Sequence, residues 1–72
     1  MFADRLKQAR KFKHYSQAEL SRLLGVTQQA VGKWETGRST PDPKTVARLA
    51  ELLDTTADAL LGLRQTVEEP NL

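Results

Sequence analysis

Apolar residues recur along this chain three, four and seven positions apart, the period of helices that bury one face. Phe2, Leu6 and Ala9 mark the inner face of a first helix from Phe2 to about Lys13, with Lys11 and Lys13 suited to the negative end of its dipole. Leu20, Leu23 and Leu24 give a second helix one buried stripe. Val31 and Trp34, three apart, share the inner face of a third, which makes Trp34 a core anchor rather than a stacking platform. Val46, Leu49, Ala50 and Leu53 repeat through a fourth helix, Pro43 to about Leu53, and Ala57, Leu60 and Leu61 make a short fifth. The pattern predicts an all-α fold of five helices.

The boundaries carry their own chemistry. Ser16 is an N-cap, Glu19 completes a capping box, and Tyr15 is placed to pack on Leu20 as a hydrophobic staple. Gly25 supplies the positive φ that ends a helix, and Thr27 caps the next, so the turn between them is only Gly25-Val26-Thr27. Helices joined this tightly cross steeply, as in a helix-turn-helix. Gln28, Gln29, Gly32 and Lys33 then fall on a different face from Val31 and Trp34. Gly37 ends the third helix, a polar loop containing Pro41 follows, Asp42 caps, and Pro43 takes the first helical position of the fourth. Thr56 caps the fifth helix and Gly62 closes it. His14 falls in a turn and is given no role. Beyond Leu63 the residues RQTVEEPNL show charge and proline without periodicity, so the expected division is a domain over 1–63 and a tail or linker over 64–72.

Composition narrows the function. Seventy-two residues, 39% hydrophobic and 28% charged, suit one small globular domain. With no cysteine and one histidine there is no disulfide framework and no expected metal or cofactor, and the four glycines lie at helix ends or in a helix rather than in a phosphate-binding loop, so no enzyme is expected. No apolar run approaches a bilayer span and no hydrophobic signal segment opens the chain, which places the expected location in the cytoplasm. The net charge is only +2, but from Met1 to Arg48 ten basic residues face four acidic ones, a balance of +6, and from Leu49 one arginine faces five acids, a balance of −4. A basic end beside an acidic one is the footprint of a nucleic-acid binder.

Ser21, Gly25, Val26, Val31, Trp34-Glu35-x-Gly37, the proline-containing loop and Leu49-Ala50-x-x-Leu53 together resemble the Cro/CI-type helix-turn-helix family of lambdoid phage repressors and xenobiotic-response-element regulators, over about Leu6 to Leu61. The sequence departs from the family at Ser21, where alanine is usual, and at Gly32, which costs roughly 1 kcal/mol relative to alanine inside a helix. The resemblance implies a compact, lambda-repressor-like five-helix bundle that binds double-stranded operator DNA as a homodimer on a palindromic site, acting as a repressor. It assigns Gln28, Gln29 and Lys33 to base edges, with Thr27 nearby; glutamine suits this role because its amide pairs with adenine N6 and N7 together. Phosphate contacts are expected from Gln17, at a helix N-terminus, and from Arg38, Ser39, Thr40 and Lys44 around the start of the fourth helix. Arg10 and Glu35 are expected to pair and tie the first helix to the third. Gly32 has two readings: a bare position on the exposed face of the third helix that lets its backbone, or Gln28 and Gln29, approach DNA more closely, or an unoptimised surface position. The alternative functions are an antitoxin that binds both its operator and a toxin, or a protein-interaction module, whose exposed apolar patch would lie around the fifth helix and Leu63. A longer parent chain with a C-terminal dimerisation or sensing domain is compatible with the sequence.

Overall fold

In the computed structural model, residues 2–62 are described, and they form α1 (Phe2–Phe12), α2 (Gln17–Leu24), α3 (Gln28–Glu35), α4 (Pro43–Leu52) and α5 (Ala57–Leu61). The expected tail over 64–72 lies outside the described residues. No helix among the described residues is long and apolar enough to cross a membrane.

Local chemistry sets the helix ends. The Ser16 hydroxyl accepts the Glu19 N–H at 3.0 Å, and the Glu19 carboxylate accepts the Ser16 N–H at 2.8 Å, a complete capping box. At the other end of α2, Gly25 adopts φ 76°, and the Val26 N–H reaches back to the Ser21 carbonyl at 3.0 Å. This left-handed turn stops α2, and the Thr27 hydroxyl starts α3 by accepting the Ala30 N–H at 3.1 Å. α1 and α4 end in the same left-handed turn without glycine, at His14 (φ 63°) and Asp54 (φ 55°). Their ends lie side by side, since the Lys13 ammonium donates to the Asp54 carboxylate at 2.7 Å.

Three sequence expectations change. Asp42 occupies the N-cap position of α4 but caps no backbone N–H, because its carboxylate accepts the Thr45 hydroxyl instead. The inward stripe of α2 is Leu20, Ser21 and Leu24, whereas Leu23 is 46% exposed. Ser21 tolerates burial because its hydroxyl donates to the Ala18 carbonyl at 2.7 Å. In α5 only Leu60 is buried, and Leu61, one position round the helix, is 43% exposed.

α3 packs on both α1 and α2, while α5 packs on α1 and α4. Leu6 of α1, Leu20 of α2, Val31 of α3 and Leu49 of α4 are fully enclosed where these elements meet, and Trp34 joins the same cluster at 7% exposure. One side of α3 is thereby consumed by the core, and its opposite side is left outward.

Three exposed carboxylates are held below the ordinary carboxylate range: Glu19 by the Ser16 N–H, Asp42 by the Thr45 hydroxyl and Asp54 by the Lys13 ammonium. A carboxylate whose folded pKa is depressed contributes its full stability above the unfolded value, near 4, and loses it as pH falls through the folded value. The melting temperature is therefore expected to be level from neutral pH to about 5 and to fall below about 4. A melting temperature that stays level to pH 2 contradicts these contacts.

Candidate nucleic-acid interface

The start of α2 and the end of α3 are joined by a buried polar network. Arg10 presents its guanidinium edge to Glu35, with Nε donating to Oε2 at 2.6 Å and Nη2 to Oε1 at 3.0 Å. Its remaining Nη1 donates to the Tyr15 carbonyl at 2.8 Å, in the turn between α1 and α2. Both side chains are enclosed, with exposures of 10% and 2%, and the carboxylate raises the Arg10 pKa so that the guanidinium stays charged. Gln17, the first residue of α2, donates its amide Nε2 to Glu35 Oε1 at 3.1 Å. The network thus sets the position of α2's first turn against α3 through charge-assisted bonds, which are shorter and stronger than neutral ones.

Thr27, Gln28, Gln29 and Lys33 are all exposed on α3 or at its cap, and Thr27 also spends its hydroxyl on the Ala30 N–H. Arg38, Ser39, Thr40 and Lys44 are exposed along the loop and first turn that lead into α4. Of the residues singled out in the sequence, Gln17, Gln29, Lys33 and Arg38 come together, lining one concavity with Gly32 and Thr36. Thr27, Gln28, Ser39, Thr40 and Lys44 do not line it. The Gln17 side chain is only partly exposed, and its amide Nε2 is engaged by Glu35. The Glu19 and Leu20 N–H groups are taken by Ser16, which leaves those of Gln17 and Ala18 at the helix start.

Thr36 was missed in the sequence, although it lies four residues beyond Gly32 and seven beyond Gln29, the spacing of one helix face. Its hydroxyl sits within 3.1 Å of the Gly32 carbonyl and 3.2 Å of the Lys33 carbonyl. Arg48 was also missed: from α4 it donates to the Leu23 and Leu24 carbonyls at 3.4 Å each, a cation at the negative end of α2. Among the described residues the exposed large apolar side chains are Phe12, Leu23 and Leu61, so the apolar surface there is not confined to α5; Leu63, the other expected member of that patch, lies outside the described residues.

This arrangement defines a class of protein: two short helices joined by a tight glycine turn, the second fixed on one side by the core and bearing two amides and a cation on the other. The chain belongs to the helix-turn-helix family, whose profile matches residues 6–60. It is 44% identical over 61 residues to the SPbeta prophage-derived uncharacterized HTH-type transcriptional regulator YonR of Bacillus subtilis (strain 168), covering 85% of this chain and 56% of that protein. Among solved structures it superposes on the biofilm master regulator SinR in complex with DNA with TM-score 0.78 and 32% identity, over 85% of this chain and 98% of that one. The P22 c2 repressor in complex with a synthetic operator gives TM-score 0.79 and 27% identity, over 83% and 91% of the two chains. The chain spans about half the length of the curated relatives it matches, 53–56% in the strongest cases. The same fold also matches part, 31%, of a hydroxypropylphosphonic acid epoxidase from S. wedmorenis at TM-score 0.76, so fold alone does not carry an activity.

Proposed function

We propose that this domain binds double-stranded DNA in a sequence-specific manner and represses transcription by occupying an operator. The observation that carries the reading is the two-sidedness of α3: Val31, Trp34 and Glu35 are buried, while Gln28, Gln29 and Lys33 stand on the outward side. A helix fits the major groove, and residues at its N-terminal end meet the base edges. Gln28 and Gln29 are the base readers, with Lys33 behind them and Thr27 at the helix start. Gln17, Arg38, Ser39, Thr40 and Lys44 hold the flanking phosphates, Gln17 chiefly through its backbone N–H at the positive end of α2. The relatives' names as transcriptional regulators, and the DNA in the SinR and P22 c2 structures, support this reading over catalysis.

The protein binds as a homodimer, so selection from a random duplex pool is expected to return an inverted repeat. Its half-site centres fall one helical turn apart, roughly 34 Å, because two recognition helices must enter successive major grooves on one DNA face. Recovery of single asymmetric half-sites alone contradicts the dimer. If about five to eight phosphates are neutralised per dimer, log K falls with log salt at a slope near −0.9 for each. A salt-independent affinity points instead to a protein-interaction module.

A further inference from the structure

Three of the four glycines answer to the backbone: Gly25, Gly37 and Gly62 have φ between 76° and 78°. Gly32 does not. It lies inside α3 with ordinary helical geometry, and a Cβ built on it would meet only Gln17 Oε1, at 3.9 Å, an ordinary van der Waals contact. Neither backbone conformation nor internal packing calls for glycine here, and helix propensity opposes it. What remains is the outer surface. Gly32 shares a concavity with Gln17, Gln29, Lys33, Thr36 and Arg38, and none of the described hydrogen bonds or ion pairs uses the Lys33 ammonium or the Arg38 guanidinium. One wall is rigid, since the Gln17 amide is held by Glu35, itself clamped by Arg10.

Resting on the DNA-binding reading above, we infer that the Gly32 notch seats the sugar–phosphate backbone of one DNA strand and so sets how deeply α3 sits in the groove. The polarity of the walls orients the strand. With Nε2 bound to Glu35, the Gln17 carbonyl oxygen faces Gly32 and repels a phosphate, so the sugar edge lies against Gly32 and the phosphate oxygens lie toward Arg38. A methyl group at position 32 holds the helix off the strand, and the hydrogen bonds of Gln28 and Gln29 to bases weaken steeply with that displacement. Glycine here exchanges domain stability for docking depth.

The test compares the parent and Gly32→Ala in thermal melts and in fluorescence-anisotropy titrations on the duplex selected by the parent. Single neutral methylphosphonates are then placed in turn along each strand. Gly32→Ala is expected to melt higher, by roughly 4–8 °C for a domain of this size, and yet to bind about tenfold more weakly. In the parent, neutralising one phosphate per half-site weakens binding; in Gly32→Ala the same neutralisation costs little, because that strand is no longer seated. Equal affinity of the two proteins, or a lowered melting temperature in the variant, overturns the inference. So does an unchanged phosphate scan accompanied by an altered base preference, which places a base edge in the notch. A parent that binds no duplex sinks the DNA-binding reading itself, whereas a binding parent with an equally tight Gly32→Ala sinks only the notch.

Discussion

Trp34→Ala is expected to unfold much of the domain. The side chain is enclosed in the cluster that contains Leu6, Leu20, Val31 and Leu49, so truncation strips packing from the central side chains at once and leaves a cavity that helices fixed by tight turns cannot close. Such a truncation costs about 3–5 kcal/mol. A chain of this length holds only roughly 4–11 kcal/mol in all, at 0.05–0.15 kcal/mol per residue. Circular dichroism melts should show the variant partly unfolded at room temperature, with Trp34→Phe falling between it and the parent. A variant that melts like the parent but no longer binds DNA would show that Trp34 touches the ligand rather than the core.

The second large effect is expected at Arg10. Arg10→Ala removes one partner of an enclosed ion pair and leaves the Glu35 carboxylate with only the Gln17 amide as its described side-chain partner. Breaking such a pair costs about 3–5 kcal/mol, mostly the penalty of an uncompensated buried charge. Arg10→Lys does not rescue it, because a single ammonium cannot span the two Glu35 oxygens and the Tyr15 carbonyl that three guanidinium nitrogens reach. Replacing both partners, Arg10→Met with Glu35→Leu, restores most of the stability in urea titrations, since the charge to be compensated is gone. The double variant nevertheless loses the anchor of Gln17, so its DNA affinity stays below that of the parent. A single Arg10→Ala within about 0.5 kcal/mol of the parent would place the pair among ordinary surface charges.

Periodicity and caps made the helices legible because each signal is local. Ser16, Thr27 and Thr56 bond to backbone groups three residues away, and Gly25 bends its own backbone, so neighbours in sequence suffice to read them. What depended on tertiary neighbours was not legible. Leu23 and Leu24 both fit a helical stripe, and only the position of the other helices decides that Leu24 turns inward and Leu23 outward; the same holds for Leu60 and Leu61. Asp42 has the right residue type for a cap, yet the hydroxyl of Thr45 competes for its carboxylate. The outward side of α3 could be read as the face opposite Val31 and Trp34. The concavity around Gly32 could not, because it needs α2, α3 and the loop after it to meet, and the pairing of Lys13 with Asp54 spans 41 residues.

The reading of α3 as the base-contacting helix is tested most directly by substitutions that separate specificity from affinity. Base contacts discriminate between sequences, and phosphate contacts only position the protein. Binding of the parent, Gln28→Ala, Gln29→Ala, Arg38→Ala and Lys44→Ala is measured on the selected site, on all single-base changes within a half-site, and on unrelated duplex. All four side chains are exposed, so helical content is retained throughout. The glutamine variants are expected to lose roughly 1–3 kcal/mol on the selected site, to bind unrelated DNA as the parent does, and to lose preference at one or two base pairs per half-site. Arg38→Ala and Lys44→Ala are expected to weaken good and poor sites about equally, with a salt slope shallower by roughly one unit for each phosphate that is no longer neutralised. Glutamine variants that keep the full base preference of the parent contradict the account, and another surface of the domain is then the reader.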